Sequence, residues 1–218
     1  MTVVALLANP PREGLVGTAL AESTPLSTAE AADLYEAQFR DAVLAVERSG
    51  GELLVNYPDD EDLPAEHRTE TSAEAELRTL VADTLGGTDG VRFERQVGSS
   101  FGARAGNTVT HLLPEVVIGP STDGRTYYAG FTEPIDFDGA FEAPALPTLA
   151  ERGRDADRSV DFVEPSPSLE TGEDLFDVVP ILRARFAAER VVPDYTAAFV
   201  HEHGLDVVED GEQRLVRD

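Results

Sequence analysis

Short apolar runs alternate with amphipathic stretches over the first 120 residues, and this alternation limits the possible fold more than any other feature of the chain. Residues 2–8 form an apolar run that stops at Asn9-Pro10-Pro11, as a buried strand does. Ser27-Thr28-Ala29-Glu30 has capping-box spacing, and Leu34, Tyr35, Phe39, Ala42, Val43 and Val46 then recur at helical intervals until Gly50-Gly51. The run ELLVNY that follows reads as a second strand. Thr71-Ser72-Ala73-Glu74 opens a second helix carrying Leu77, Leu80, Val81 and Leu85, and Gly86-Gly87 ends it. Residues 91–97 alternate like a half-buried strand. Phe101, Ala105, Val109 and Leu112 mark a third helix, and residues 115–118 a fourth strand.

Strands and helices in this order build a three-layer α/β/α domain with a mostly parallel central sheet. Beyond Phe131 the chain is irregular and proline-rich, with Pro144, Pro147, Pro165 and Pro167. Residues 173–189 are expected to be helical, kinked or split at Pro180. A last short helix over 194–203 leads into two strand-like runs around Asp210-Gly211, a hairpin signal. The expected organisation is one domain over residues 1–190, with residues 191–218 packed on it as a helix and hairpin.

The charge balance narrows the partners. All 17 basic residues are Arg, against 42 Asp and Glu, giving a net charge of −25. A nucleic-acid surface needs phosphate-neutralising cations, and anionic membranes repel such a chain. The carboxylates are spread through a sequence that is 41% hydrophobic, so the chain has the means to build a core. This balance resembles that of proteins from extreme halophiles, where molar salt shortens the Debye length to about 3 Å. With no Cys, disulfides and thiolate chemistry are excluded. The N-terminal apolar run is too short for a signal sequence, and the expected location is the cytoplasm.

Ligands of an open parallel sheet gather at the carboxyl ends of its strands. The Gly- and Pro-rich loops fall there: 9–18 after the first strand, 96–102 after the third and 119–124 after the fourth. In the first, Arg12, the glycines and Thr18 suit a phosphate, although no Walker spacing follows. In the last, Asp123 is either a general base or hydroxyl ligand, or simply part of a tight Asp-Gly turn between two strands with the tyrosines in the core. His201 and His203, two apart, lie on different faces of a helix and do not suggest a metal pair.

The stretch VVALLANPPREGLVGTAL with its following helix, QVGSSFGAR, GPSTDGRTYYAGF and SLETGEDLFDVV together resemble the radical-SAM/selenodomain-associated glycosyltransferase-like family, which has the nucleotide-diphospho-sugar transferase (GT-A) fold. The resemblance extends to about residue 190, and its most specific part is the Gly-Pro-x-x-Asp-Gly-x-x-Tyr-Tyr run. It implies glycosyl transfer from a nucleoside-diphosphate sugar to a small acceptor. Asn9, Pro11, Arg12, Gly14 and Thr18 would bind the nucleotide and its phosphates, with Gln96 and Arg104 bordering it. Gly119, Pro120, Gly124, Tyr127 and Tyr128 would line the acceptor side, with Asp123 as the catalytic base. Nucleotidyl transfer and a non-catalytic nucleotide- or metabolite-binding relic are the alternatives.

Two departures from the family pattern bear on this. Its first loop reads Pro-x-x-Gly-x-x-Lys-Thr-Arg-Leu, and here Gly17 and Ala19 stand at the two cationic positions, leaving Arg12 as a partial substitute. The family also carries a Gly-x-Asp-x-Pro strand and a helix whose aspartate holds Mg2+ or Mn2+ against the diphosphate. That segment has no counterpart between Leu113 and Pro114.

Overall fold

The computed structural model describes residues 3–98, 104, 116–131, 133–142, 144–209, 211 and 213–217. Strands β1 (Val3–Leu7), β2 (Glu52–Tyr57) and β3 (Arg92–Arg95) form a parallel sheet in that order. Leu7 lies beside Asn56 and Tyr57 beside Arg95, so all three carboxyl ends share one edge. The central position of β2 explains its composition: Leu53 to Tyr57 are all buried, as in a strand covered on both faces. Helices α2 (Thr28–Ser49) and α3 (Ala73–Leu85) make the crossovers. Both start as the sequence predicts. Ser27 and Glu30 form the reciprocal capping box, and Ser72 Oγ accepts from the Ala75 N–H. Gly50 and Gly86 end these helices in the left-handed conformation.

Helix α2 organises much of the interior. Over 22 residues it is about 33 Å long. Its second half supplies Phe39, Val43 and Val46 to a core with β2 and with Leu77, Leu80 and Val81 of α3. Its first half, through Ala31, Leu34 and Ala37, packs with the C-terminal elements. These are α5 (Gly172–Ala187), α6 (Asp194–Glu202) and the antiparallel hairpin β7 (Leu205–Glu209) and β8 (Gln213–Arg217). Leu175, Val179, Phe199 and Leu205 fill that second core. Asp41 fixes the contact by capping α6 from outside, accepting from the N–H groups of Tyr195 at 2.9 Å and Thr196 at 2.7 Å. The hairpin is tied down by Arg217, which donates to both Glu30 carboxylate oxygens. That bond and those from Ser27 hold the Glu30 carboxyl at about 2, from an ordinary 4.5.

A second three-stranded sheet has β4 (Val116–Pro120) between β5 (Thr126–Gly130), antiparallel, and β6 (Val160–Phe162), parallel. Its core joins Val116 and Ile118 to Phe131, Ile135, Phe137 and Leu149, the last from α4 (Ala145–Asp155). Several details depart from the sequence reading. The first loop contains the short helix α1 (Thr18–Ser23), and the segment after Phe131 holds α4 and β6. Helix α5 runs through Pro180 as one element, because the proline sits on its exposed side where water can satisfy the carbonyl it frees. The third helix expected over 101–112 lies outside the described residues except for Arg104, which is helical. Among the described residues no helix is long and apolar enough to cross a membrane.

Candidate functional site

The carboxyl edge of the β1–β3 sheet is closed by amide contacts. Gln96 Nε2 donates to the Asn56 carbonyl at 2.8 Å and reaches the Ala8 carbonyl at 3.5 Å, linking the ends of all three strands. Asn9 is exposed at the mouth of this edge, and its N–H donates to the Tyr35 hydroxyl of α2 at 3.0 Å. Pro11 is half-buried, Thr18 is exposed, and Gly14 adopts φ 74 beside His67.

Arg12 has a different environment from the one the sequence suggests. It is only 9% exposed. Its guanidinium donates to Glu76 at 3.0 Å, to the Thr71 carbonyl at 2.9 Å and to the His67 carbonyl at 2.5 Å. A phosphate would have to displace these partners, so Arg12 is a clamp holding the first loop to the segment before α3. Gly17 is also more than a missing cation. It sits at φ 64, and a Cβ there would lie 2.7 Å from the Ala31 carbonyl oxygen. A lysine cannot stand at this position without moving α1 from α2.

The second group lies around the turn after β4. Thr122, Asp123, Gly124 and Arg125 make a tight hairpin turn, closed by the Arg125 N–H to the Thr122 carbonyl at 3.0 Å. Asp123 at φ 56 and Gly124 at φ 71 are both left-handed, the type I′ pattern that Asp-Gly satisfies best. The turn reading of this motif is therefore correct in its backbone. The tyrosines, however, are not core: Tyr127 is 45% exposed and Tyr128 36%. Tyr127 donates to the Glu164 carbonyl at 2.9 Å, and its ring lies over Gly119, where a Cβ would come within 2.7 Å of it. Pro120 stands at a register shift between β4 and β5, where its missing N–H costs no ladder bond. Substituting Gly119→Ala should displace Tyr127 and cost about 1–3 kcal/mol; a melting temperature equal to wild type would show that the ring is not held there.

The most constrained group in this region is one the sequence reading did not single out. Asp174, in the first turn of α5, is 3% exposed. It receives both terminal nitrogens of Arg125, Thr122 Oγ1 at 3.1 Å, and the N–H groups of Glu170 and Thr171 at 2.9 Å. Burial pushes its carboxyl up, but Arg125 and the two N–H groups outweigh burial and hold it at about 2. The Thr171-x-x-Asp174 capping spacing is legible in the sequence, whereas its pairing with Arg125, 49 residues away, is not. Ser121 adds a further tie, its Oγ donating to Ser168 Oγ at 2.9 Å.

The structure thus brings Asn9, Gln96 and the strand ends into one group, and Gly119 to Tyr128 with residues 164–174 into another. Ser23 of α1, the helix that follows the first loop, touches the second group, its Oγ accepting from the Gly172 N–H at 3.1 Å. Arg104 is half-buried. Among the described residues no three His, Asp or Glu side chains gather as a cation site.

No family model matches the sequence, and neither does any curated protein. Among solved structures, the "putative nucleotide-diphospho-sugar transferase" of Desulfovibrio desulfuricans G20 is similar in fold, with a TM-score of 0.66 and 19% identity. The match covers 93% of this chain and 94% of that one. Strand order, crossovers and this likeness agree that the chain has the nucleotide-diphospho-sugar transferase fold.

Proposed function

We propose that the chain is a glycosyltransferase-like protein, a degenerate member of the radical-SAM/selenodomain-associated family of haloarchaeal type, acting in the cytoplasm. It binds a nucleoside-diphosphate sugar at the carboxyl edge of β1–β3 and presents it to a small acceptor beside the Asp123 turn. The observation that carries this reading is the parallel register of β1–β3, which sets the loops after all three strands on one edge in a fold shared with a nucleotide-diphospho-sugar transferase.

In this reading the acceptor hydroxyl attacks the anomeric carbon, the bond to the nucleoside diphosphate breaks, and Asp123 takes the hydroxyl proton. Asp123 suits that task by position, since its side chain is 76% exposed and the left-handed turn projects it from the end of the hairpin. Tyr127 and Tyr128 give the acceptor an exposed aromatic wall. No step is assigned to Mg2+ or Mn2+.

A non-catalytic nucleotide-sugar binder is the second reading, favoured by the commitment of Arg12 to Glu76 and by Gly17 at the lysine position. Calorimetric titration with a panel of nucleoside-diphosphate sugars, with and without manganese, separates the two. Binding followed by release of the nucleoside diphosphate supports transfer, and binding without turnover supports the binder. Absence of binding to every donor contradicts both.

A further inference from the structure

Two tyrosines lie down on one face of the β4–β6 sheet. Val116, Ile118, Ala129 and Phe131 turn into the core with Leu149 of α4, so by strand alternation Val117, Gly119, Tyr128 and Gly130 point to the opposite face. Tyr127 would follow Ala129 into the core, but the register shift at Pro120 turns it out, and its ring comes to lie over Gly119. Tyr128 lies along its own strand over Gly130, where a Cβ would stand 2.8 Å from its hydroxyl. Side chains of a sheet usually stand upright. These two recline because both positions beneath them are glycine, and each exposed ring turns a face to solvent.

Carboxylates, and no unpaired cation, border these rings among the described residues. Strands β4, β5 and β6 contain no basic residue. Arg125 and Arg158, next to them in the chain, are paired with Asp174 and Glu133. Asp161 stands beside Val117 on the tyrosine face, and Asp123 projects from the end of the same hairpin with its side chain exposed. A phosphorylated ligand would meet only like charge here. A pyranose fits: its C–H bonds direct partial positive charge at the negative face of an aromatic ring, and its hydroxyls donate to carboxylates. An ammonium ligand fits worse, because it is held in a cage of converging rings, whereas rings reclined on one sheet do not converge.

We propose, on the transfer reading above, that the acceptor is an uncharged pyranoside, its C–H face laid on Tyr127 and Tyr128 and its hydroxyls toward Asp123 and Asp161. The Tyr127 ring is held in advance by its hydrogen bond to the Glu164 carbonyl at 2.9 Å, so little ordering remains to be done on binding. The donor, on the same reading, occupies the β1–β3 edge, which leaves the two rings to the acceptor.

The test is saturation-transfer NMR of the full chain in molar potassium chloride with the methyl pyranosides of glucose, galactose and mannose, against glucose 6-phosphate, sorbitol, choline and uridine. Saturable binding of at least one methyl pyranoside is expected, with transfer concentrated on the C–H protons of one face. Glucose 6-phosphate should bind about tenfold more weakly, and sorbitol, which has no ring face, should not bind. Tyr128→Phe keeps an aromatic face and should keep the affinity, whereas Tyr127→Leu and Tyr128→Leu should each weaken it about three- to tenfold. Melting temperatures near wild type show that the variants are folded; if Tyr127→Leu fails to fold, the two Tyr128 variants decide. No pyranoside binding, leucine variants that bind like wild type, or a sugar phosphate bound as tightly as the pyranoside overturns the proposal. So does displacement of the pyranoside by choline, uridine or UDP-glucose, which gives the rings to a cation or to part of the donor. The measurement needs no donor: donor binding without pyranoside binding overturns this proposal and leaves the donor site standing, while pyranoside binding without any donor binding contradicts the transfer reading and leaves a saccharide site.

Discussion

Replacing Asp174 by Ala should lower the stability of the chain by about 3–5 kcal/mol, the range for removing one partner of a buried ion pair. The loss has two sources. Arg125, whose side chain is 18% exposed, keeps its charge but loses its bidentate partner, and the N–H groups of Glu170 and Thr171 lose their acceptor. Glu170, 3.5 Å from Arg125, recovers part of the charge compensation and places the result in the lower half of the range. For a chain of this size each kcal/mol shifts the melting temperature by roughly 2–4 °C, so a fall of about 10 °C is expected. The effect also has a pH signature. Asp174 titrates at about 2 in the folded chain against an ordinary 3.8, so its contribution is present above pH 3.8 and is lost as pH falls through about 2. Across that window the wild type should lose about 2 kcal/mol that Asp174→Asn does not. A loss below 1 kcal/mol in urea unfolding of the Ala variant, with equal acid slopes, would show that the pair does not hold the turn to α5.

The second large effect is that of salt. A net charge of −25 on 218 residues is a self-repulsion that the fold carries in dilute buffer. The exposed ion pairs do little to offset it, since each is worth about 0–1 kcal/mol. At molar ionic strength the Debye length falls to about 3 Å and the repulsion between separated carboxylates is screened. The melting temperature should therefore rise on the order of 10 °C between dilute buffer and molar potassium chloride, measured with sodium chloride as a control for ion identity. A melting temperature that does not change with salt would remove the halophilic part of the account.

What was legible in the sequence follows from the range of the interactions. Helices α2 and α3 were readable to within a residue or two because Ser27, Ser72, Gly50 and Gly86 are local signals, satisfied within one turn. Strand β2 was readable because a central parallel strand is apolar throughout. Helix α4 was obscured by Pro144 and Pro147, yet prolines are tolerated at a helix cap and first turn, and they stand there. At the site, the Asp123-Gly124 turn was readable from turn chemistry alone. The role of Arg12 was not, because a guanidinium aimed at a ligand and one closed on Glu76 are written with the same letter. The Arg125–Asp174 pair and the Ser23–Gly172 contact join distant segments, and no local spacing encodes them.

Amide hydrogen exchange of the full chain, with and without the tightest-binding nucleoside-diphosphate sugar, tests most directly whether one ligand spans the strand ends and the Asp123 turn. Slowed exchange in residues 9–18 and 122–128 together is the expected result. Slowing in neither segment, or only in segments remote from both, would contradict it.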